Sequence, residues 1–405
     1  MNDAVRSRTA WVEDRVRAAC FGGACAPGTP TTLGAELELL ALDATTNAVA
    51  PIFAQGGSLA LVRAAACRLN WREAVSAKGV PHFTSAAGGS LTFEPGGQLE
   101  YASGVHASAD GVLLELEVVE SALNDAAEPL GISLLARGVD PFNDAEHAPL
   151  QLTAERYERM ARYFASIGPD GARMMRQTAS LQVNIGGFPS LERWAVANAI
   201  APWLVALFAN SSQYAGSDTD CASYRAETWR GVDPQRTGLF AGADPVREYA
   251  AFALAATAFL ADDAAPAFGA LRDAAVCDAS LATHLSTLFP EVRPRGYLEL
   301  RSIDAIGRAA RMAAVGLVAG VLGDPAAARD ACALLGPADG DLLRRAGRDG
   351  LREPRIAATV DDLVAIALAG CTRLGTHVVS ERVQAAVIAH TLARGLTHTG
   401  SSCPF

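Results

Sequence analysis

The chain has 405 residues, of which half are hydrophobic, 19% charged and 6% aromatic, the balance of a folded protein and not of a disordered or fibrous one. Its 34 Lys and Arg against 44 Asp and Glu give a net charge of −10, which withholds the basic footprint of a nucleic-acid binder and leaves carboxylates for metal ions or cationic ligands. The single lysine, Lys78, stands before Gly79-Val80, so a Walker A loop is absent and phosphate chemistry would rest on arginine, backbone amides and metal ions.

In chain order, Val5, Ala10, Val12, Val16 and Ala19 recur at helical intervals and predict an amphipathic helix over 2–20. After a Gly/Pro-rich stretch at 22–30 comes a strand over 33–43, then two short strands flanking Pro95-Gly96-Gly97, where the glycine pair permits a tight connection. Residues 106–128 read as a helix, 131–138 as a strand, 153–167 as a helix containing Arg156, and 174–186 as another strand. A buried helix is expected over 190–212 and a long polar loop over 214–245, a length that inside a folded unit usually serves function. After a helical region the last strand is 297–303; from Asp304 the chain is Ala/Leu-rich and helical, broken at Pro325, Gly336-Pro337 and Pro354. The expectation is an α+β core over 1–305 with a helical segment, 306–405, packed on it.

The eight cysteines include no C-x-x-C, which suits isolated thiols in a reducing compartment. The N-terminal stretch lacks an apolar signal-type run, and the longest largely apolar segment, 250–261, is shorter than the ~20 residues a membrane span needs. A cytoplasmic location without membrane partners is expected.

Five stretches carry polar groups that could do chemistry. In LGAELELLALD, period-2 geometry sets Glu36 and Glu38 on one strand face, where they repel unless a cation lies between them. TFEPGGQLEYASG places Glu94 and Glu100 on two segments folded back around the Pro-Gly-Gly turn, and MMRQTASLQVNIGG puts Ser180, Gln182 and Asn184 on one face. SYRAETWRGVDPQRTG gathers Arg225, Arg230 and Arg236 around Trp229, and YLELRSIDA aligns Tyr297, Glu299 and Arg301. Each alone is equally a solvated face, a turn, a polar loop or a structural ion pair. Together they present carboxylates to one cavity with arginines above, a set that suits Mg²⁺ and phosphoryl transfer.

In this combination and order the five stretches, spanning 34–305, resemble the glutamate–cysteine ligases of the plant and proteobacterial type, including the actinobacterial ligases that open ergothioneine synthesis. The resemblance implies a glutamine-synthetase-like fold whose curved antiparallel sheet forms a funnel holding two or three Mg²⁺ ions. It implies that ATP phosphorylates the γ-carboxylate of glutamate and that the cysteine amine attacks the acyl phosphate. Metal ligands would be Glu36, Glu38, Glu94, Glu100 and Glu299, with Gln182 closing a metal or phosphate site. Arg225 would hold the glutamate α-carboxylate and Arg301 would neutralise the transferring phosphoryl group; Trp229, Arg236 and Asn184 would contact nucleotide or substrate. The partners implied are small molecules, for a monomer or homodimer. A ligase using another amine, or a catalytically silent ligand-binding relative, are the alternative readings.

Overall fold

The computed structural model describes residues 3–22, 31–75, 79–187, 190–259 and 266–395; positions 23–30 of the Gly/Pro-rich stretch, and Lys78, lie outside them. The first half runs through α1 (Asp3–Val16), β1 (Leu33–Asp43), α2 (Ser58–Leu69), β2 (Arg72–Val75), β3 (Pro81–Thr84), β4 (Ser90–Phe93), β5 (Leu99–Ala102) and α3 (Ala109–Ala127). It continues with β6 (Ile132–Leu135), α4 (Glu155–Ala165), α5 (Asp170–Gln177), β7 (Ser180–Ile185), α6 (Leu191–Ala199) and α7 (Ala201–Leu207). Then come β8 (Gln213–Tyr214), β9 (Ser217–Asp218), α8 (Tyr224–Val232), α9 (Pro245–Ala255), α10 (Asp278–Leu285), β10 (Val292–Pro294) and β11 (Leu298–Asp304). Five helices follow: α11 (Arg308–Gly323), α12 (Pro325–Leu335), α13 (Gly340–Asp349), α14 (Pro354–Leu374) and α15 (Glu381–Ala393).

Nine strands form one sheet in the order β10-β11-β7-β1-β5-β4-β3-β2, with β6 pairing β1 beyond β5; every pairing of these strands is antiparallel. The architecture is therefore the expected α+β, an antiparallel sheet with many helices. β1 explains the layering. Leu33, Ala35, Leu37, Leu39 and Ala41 point into the main hydrophobic core, and the alternate positions Glu36 and Glu38 point the other way. Against the apolar side lies α11, which touches β7, α3, α6, α14 and α15. Among the described residues no single helix is long and apolar enough to cross a membrane.

Several boundaries differ from the sequence reading, for local reasons. Residues 170–177 are helical, not the start of a strand: Gly171, Met174 and Met175 are buried at i, i+3 and i+4, a helical spacing, and the strand begins only at Ser180. The helix expected over 190–212 is two, broken where Pro202 enters the first turn of α7 and cannot donate to the preceding turn. The expected loop 214–245 contains the β8–β9 hairpin and helix α8, whose N-cap Ser223 accepts a hydrogen bond from the Ala226 amide. Helix α2 and strands β2, β3 and β10 had no counterpart in that reading. The Pro95-Gly96-Gly97 turn is present, with Gly97 at a φ of 97° that favours glycine.

Helices α11 and α14 cross at two facing glycines. A Cβ on Gly320 would lie 2.2 Å from the Ala367 carbonyl oxygen, and one on Gly370 would lie 2.1 Å from that of Gly320. The backbones therefore meet with no room for a methyl group. Gly320→Ala is expected to destabilise the protein by about 1–3 kcal/mol, seen as a lower urea midpoint at unchanged m-value; an unchanged midpoint would show that the crossing relaxes freely.

Candidate active site

Strand register assembles the site. Glu36 sits opposite Gln182 on β7, Glu38 opposite Glu100 on β5, and Glu100 opposite Thr92 on β4. On the other side Asn184 sits opposite Glu299 on β11, and Glu299 opposite Arg293 on β10. Because paired residues share a face, six strands put their polar groups on one side of the sheet. A bulge in β11 at Arg301 and Ser302, opposite Gln182, locally re-aims the strand.

Amides of β7 hold the carboxylates of β1. Gln182 Nε2 donates to Glu38 at 2.9 Å, the Ser180 amide donates to the other Glu38 oxygen at 2.7 Å, and Asn184 Nδ2 donates to Glu36 at 3.1 Å. Gln182 Oε1 in turn accepts from Arg301 at 2.7 Å. Glu299 is fully buried and engages three arginines, Arg293 at 2.8 Å, Arg295 at 3.4 Å and Arg301.

This face opens on a cavity of 470 Å³. Its lining combines the acids Glu36, Glu38, Glu94 and Glu100, the arginines Arg156, Arg293, Arg295 and Arg301, and apolar groups including Met160, Met174, Met175, Trp229 and Phe289. The acids are mutually repelling. Burial first, then Glu299 and Glu100, push the Glu36 carboxyl up to about 8, against the pull of Arg293 and Asn184. Burial, then Glu38 for Glu94 and Glu94 for Glu100, raise both carboxyls above the usual carboxylate range. For Glu299, by contrast, Arg293, Arg301 and Arg295 outweigh burial and hold the carboxyl down at about 2.

Of the residues singled out in the sequence, Glu36, Glu38, Glu94, Glu100, Gln182, Trp229 and Arg301 line this cavity. Glu299 and Asn184 lie on the same sheet face and reach its lining residues, through Arg293 and Arg301 for the first and Glu36 for the second. Arg225 and Arg236 are elsewhere. Arg225 is buried and donates to the Arg301 carbonyl at 2.8 Å. Arg236 is fully buried, bound to Asp233 and Thr287, with its guanidinium 3.8 Å from the Phe259 ring centre. Arg156, Tyr157, Arg293, Arg295 and Tyr249 also line the cavity without having been proposed for it. Arg293 and Arg295 had a signal: they alternate in VRPRG, just before YLELR, and so continue the charged stripe of β11.

Hard oxygen donors fit Mg²⁺. Among the described residues no three His, Cys, Asp or Glu side chains converge as a ready-made cage. Mg²⁺ commonly takes only one or two carboxylates and completes its shell with water and substrate phosphates. A dication beside Glu38, Glu94 and Glu100 would relieve the repulsion that raises the last two.

Comparison with known proteins places this geometry. The sequence profile described as glutamate–cysteine ligase family 2 (GCS2) matches residues 32–385. The glutamate–cysteine ligase EgtA of Mycolicibacterium smegmatis is 32% identical over 288 residues, 66% of this chain and 67% of that one. Its Mycobacterium tuberculosis counterpart is 32% identical over 312 residues, 69% and 70% of the two chains. The chloroplastic glutamate–cysteine ligase of Medicago truncatula is 28% identical over 247 residues, 53% of this chain and 46% of that one. In fold the chain is similar to the Francisella tularensis glutamate–cysteine ligase solved with AMP, with a TM-score of 0.51 and 11% identity, covering 91% of this chain and 82% of that one.

Opposite stability effects are expected within the acidic set. Glu299 stands apart from the repelling acids because arginines surround it. Glu299→Gln leaves three arginines uncompensated and should cost about 3 kcal/mol or more, whereas Glu100→Gln should stabilise the metal-free protein by on the order of 1 kcal/mol. Urea denaturation in EDTA checks both, and equal signs would contradict the division. The folded protein keeps a proton on Glu36 up to about 8 that the unfolded chain releases near 4.5, so stability falls as pH climbs through that window. In EDTA the melting temperature of Glu36→Gln should fall less than that of the parent between about pH 5 and 8; parallel curves would show that Glu36 does not contribute.

Proposed function

The chain belongs to glutamate–cysteine ligase family 2, and from that premise we propose that it joins the γ-carboxyl of glutamate to the amine of cysteine, consuming ATP through a γ-glutamyl phosphate. The observation that carries this reading is a single cavity lined by four carboxylates and four arginines. In the first half-reaction a γ-carboxylate oxygen bonds to the terminal phosphorus of ATP as the bond to ADP breaks. In the second the amine nitrogen bonds to the acyl carbon, phosphate leaves, and the amine gives up a proton.

The work assigned to this chain is mostly charge placement. Arg301, tied to Gln182 and Glu299, offers fixed positive charge to the transferring phosphoryl group, whose equatorial oxygens gain charge as it moves. Arg156 contacts its neighbour Tyr157 by hydrogen bond and by stacking at 4.4 Å, and its Nε is buried without a partner. It is the arginine we assign to a substrate carboxylate. Glu36, Glu38, Glu94 and Glu100 would hold Mg²⁺, two or three ions in the family's funnel, with Gln182 beside them. Bound there, Mg²⁺ would offset phosphate charge that this acidic wall would otherwise repel. Glu299 we assign to setting the arginines, since its charge is already matched. The product would feed a low-molecular-weight thiol pathway of the ergothioneine type, in the cytoplasm.

Incubation with ATP, Mg²⁺, glutamate and cysteine should yield γ-glutamylcysteine by mass spectrometry with ADP in equal amount, and chelating Mg²⁺ should abolish both. ADP formed equally well with other amines would replace cysteine as the acceptor. Ligand binding without any ADP would favour a silent relative.

A further inference from the structure

The β11 bulge leaves the backbone groups of Arg301 outside the sheet ladder, and both are taken up by protein. The Arg301 amide donates to the Glu291 carbonyl at 2.9 Å, and the Arg301 carbonyl accepts from Arg225 at 2.8 Å. Ser302, the other bulge residue, donates through its hydroxyl to Glu291 at 2.6 Å. Arg225 has its own anchor: Asp304, 1% exposed, lies 3.9 Å from it. Asp304 is fixed in turn by the Asn210 amide at 2.7 Å, the Ser211 hydroxyl at 2.7 Å and the Ser223 hydroxyl at 2.9 Å. The Arg225 guanidinium also lies 4.8 Å from the ring centre of Trp229, which faces the cavity that Arg225 itself does not line.

We propose that Arg225, held by Asp304, is a positioning residue: it braces the Arg301 bulge and Trp229 from behind the cavity, and does not bind substrate. A bulge without such a brace has soft backbone dihedrals, and a side chain misplaced by about 1 Å costs on the order of 100-fold in rate. The arrangement also explains why an arginine in a substrate-like motif is buried among protein groups. The kinetic side of this inference rests on the ligase reading; its structural side does not.

The test uses the full chain and two variants, Arg225→Gln and Asp304→Asn, with hydrogen exchange and steady-state kinetics. Peptides covering 298–304 should exchange faster in both variants while the β1 and β5 peptides stay protected; unchanged exchange over 298–304 overturns the brace, whatever the activity. In the ligase assay Arg225→Gln should lower kcat by roughly 100-fold, with KM for glutamate, ATP and cysteine within about threefold of the parent. Asp304→Asn should act in the same direction, and Arg225→Lys, which keeps the charge facing Asp304, should recover part of kcat. A glutamate KM raised tenfold or more at near-parental kcat would make Arg225 a substrate ligand and overturn the proposal. An inactive parent protein would sink the ligase reading alone, leaving the exchange result to decide the brace.

Discussion

Strand pairing forces like charges together. Hydrogen-bonded register sets Glu38 opposite Glu100 and Glu36 beside them, on a face whose reverse is packed with Leu37, Leu39, Val183 and Leu181. None of the acids can turn away without moving its strand, and the strand cannot move without breaking the core. The energy that holds the acids in place therefore comes from the apolar side, from a hydrophobic core shared with α11, and the polar side carries the electrostatic cost.

Two local answers to that cost divide the cavity. Glu299 is compensated by Arg293 of β10, Arg295 of the following turn and Arg301 of β11, which hold its carboxyl well below the usual range. Glu36 and Glu38 have amide donors from β7, burial and mutual repulsion raise Glu36, Glu94 and Glu100, and this set remains open to a cation. Catalysis by charge placement benefits from this separation, because fixed dipoles and charges need not reorganise when substrate charge moves.

The polar face was legible in the sequence because strands have a period of two. Glu36 with Glu38, and Gln182 with Asn184, could be assigned to one face from spacing alone. Partnership across strands was not legible: register depends on which strands pair, and β7 lies between β1 and β11, far from both in sequence. Hence the sequence aligned Glu299 with Arg301 but did not show that Arg293 and Arg295 also stand beside it. Helix α8 was missed although Arg225, Thr228, Trp229 and Val232 are buried at helical spacing, because two of the four are polar and masked the stripe. Burial of Arg225 and Arg236 was invisible for the same reason: arginine is ordinarily a surface residue.

A single pleated strand, β1, serves as the common wall of two compartments, the apolar interior and the reacting cavity. Alternate residues of one continuous backbone face each, so a change at Leu37 or Leu39 that shifts the pleat also displaces Glu36 and Glu38. Packing on one side of this strand thereby sets where the carboxylates stand on the other, so the two compartments cannot be repacked separately.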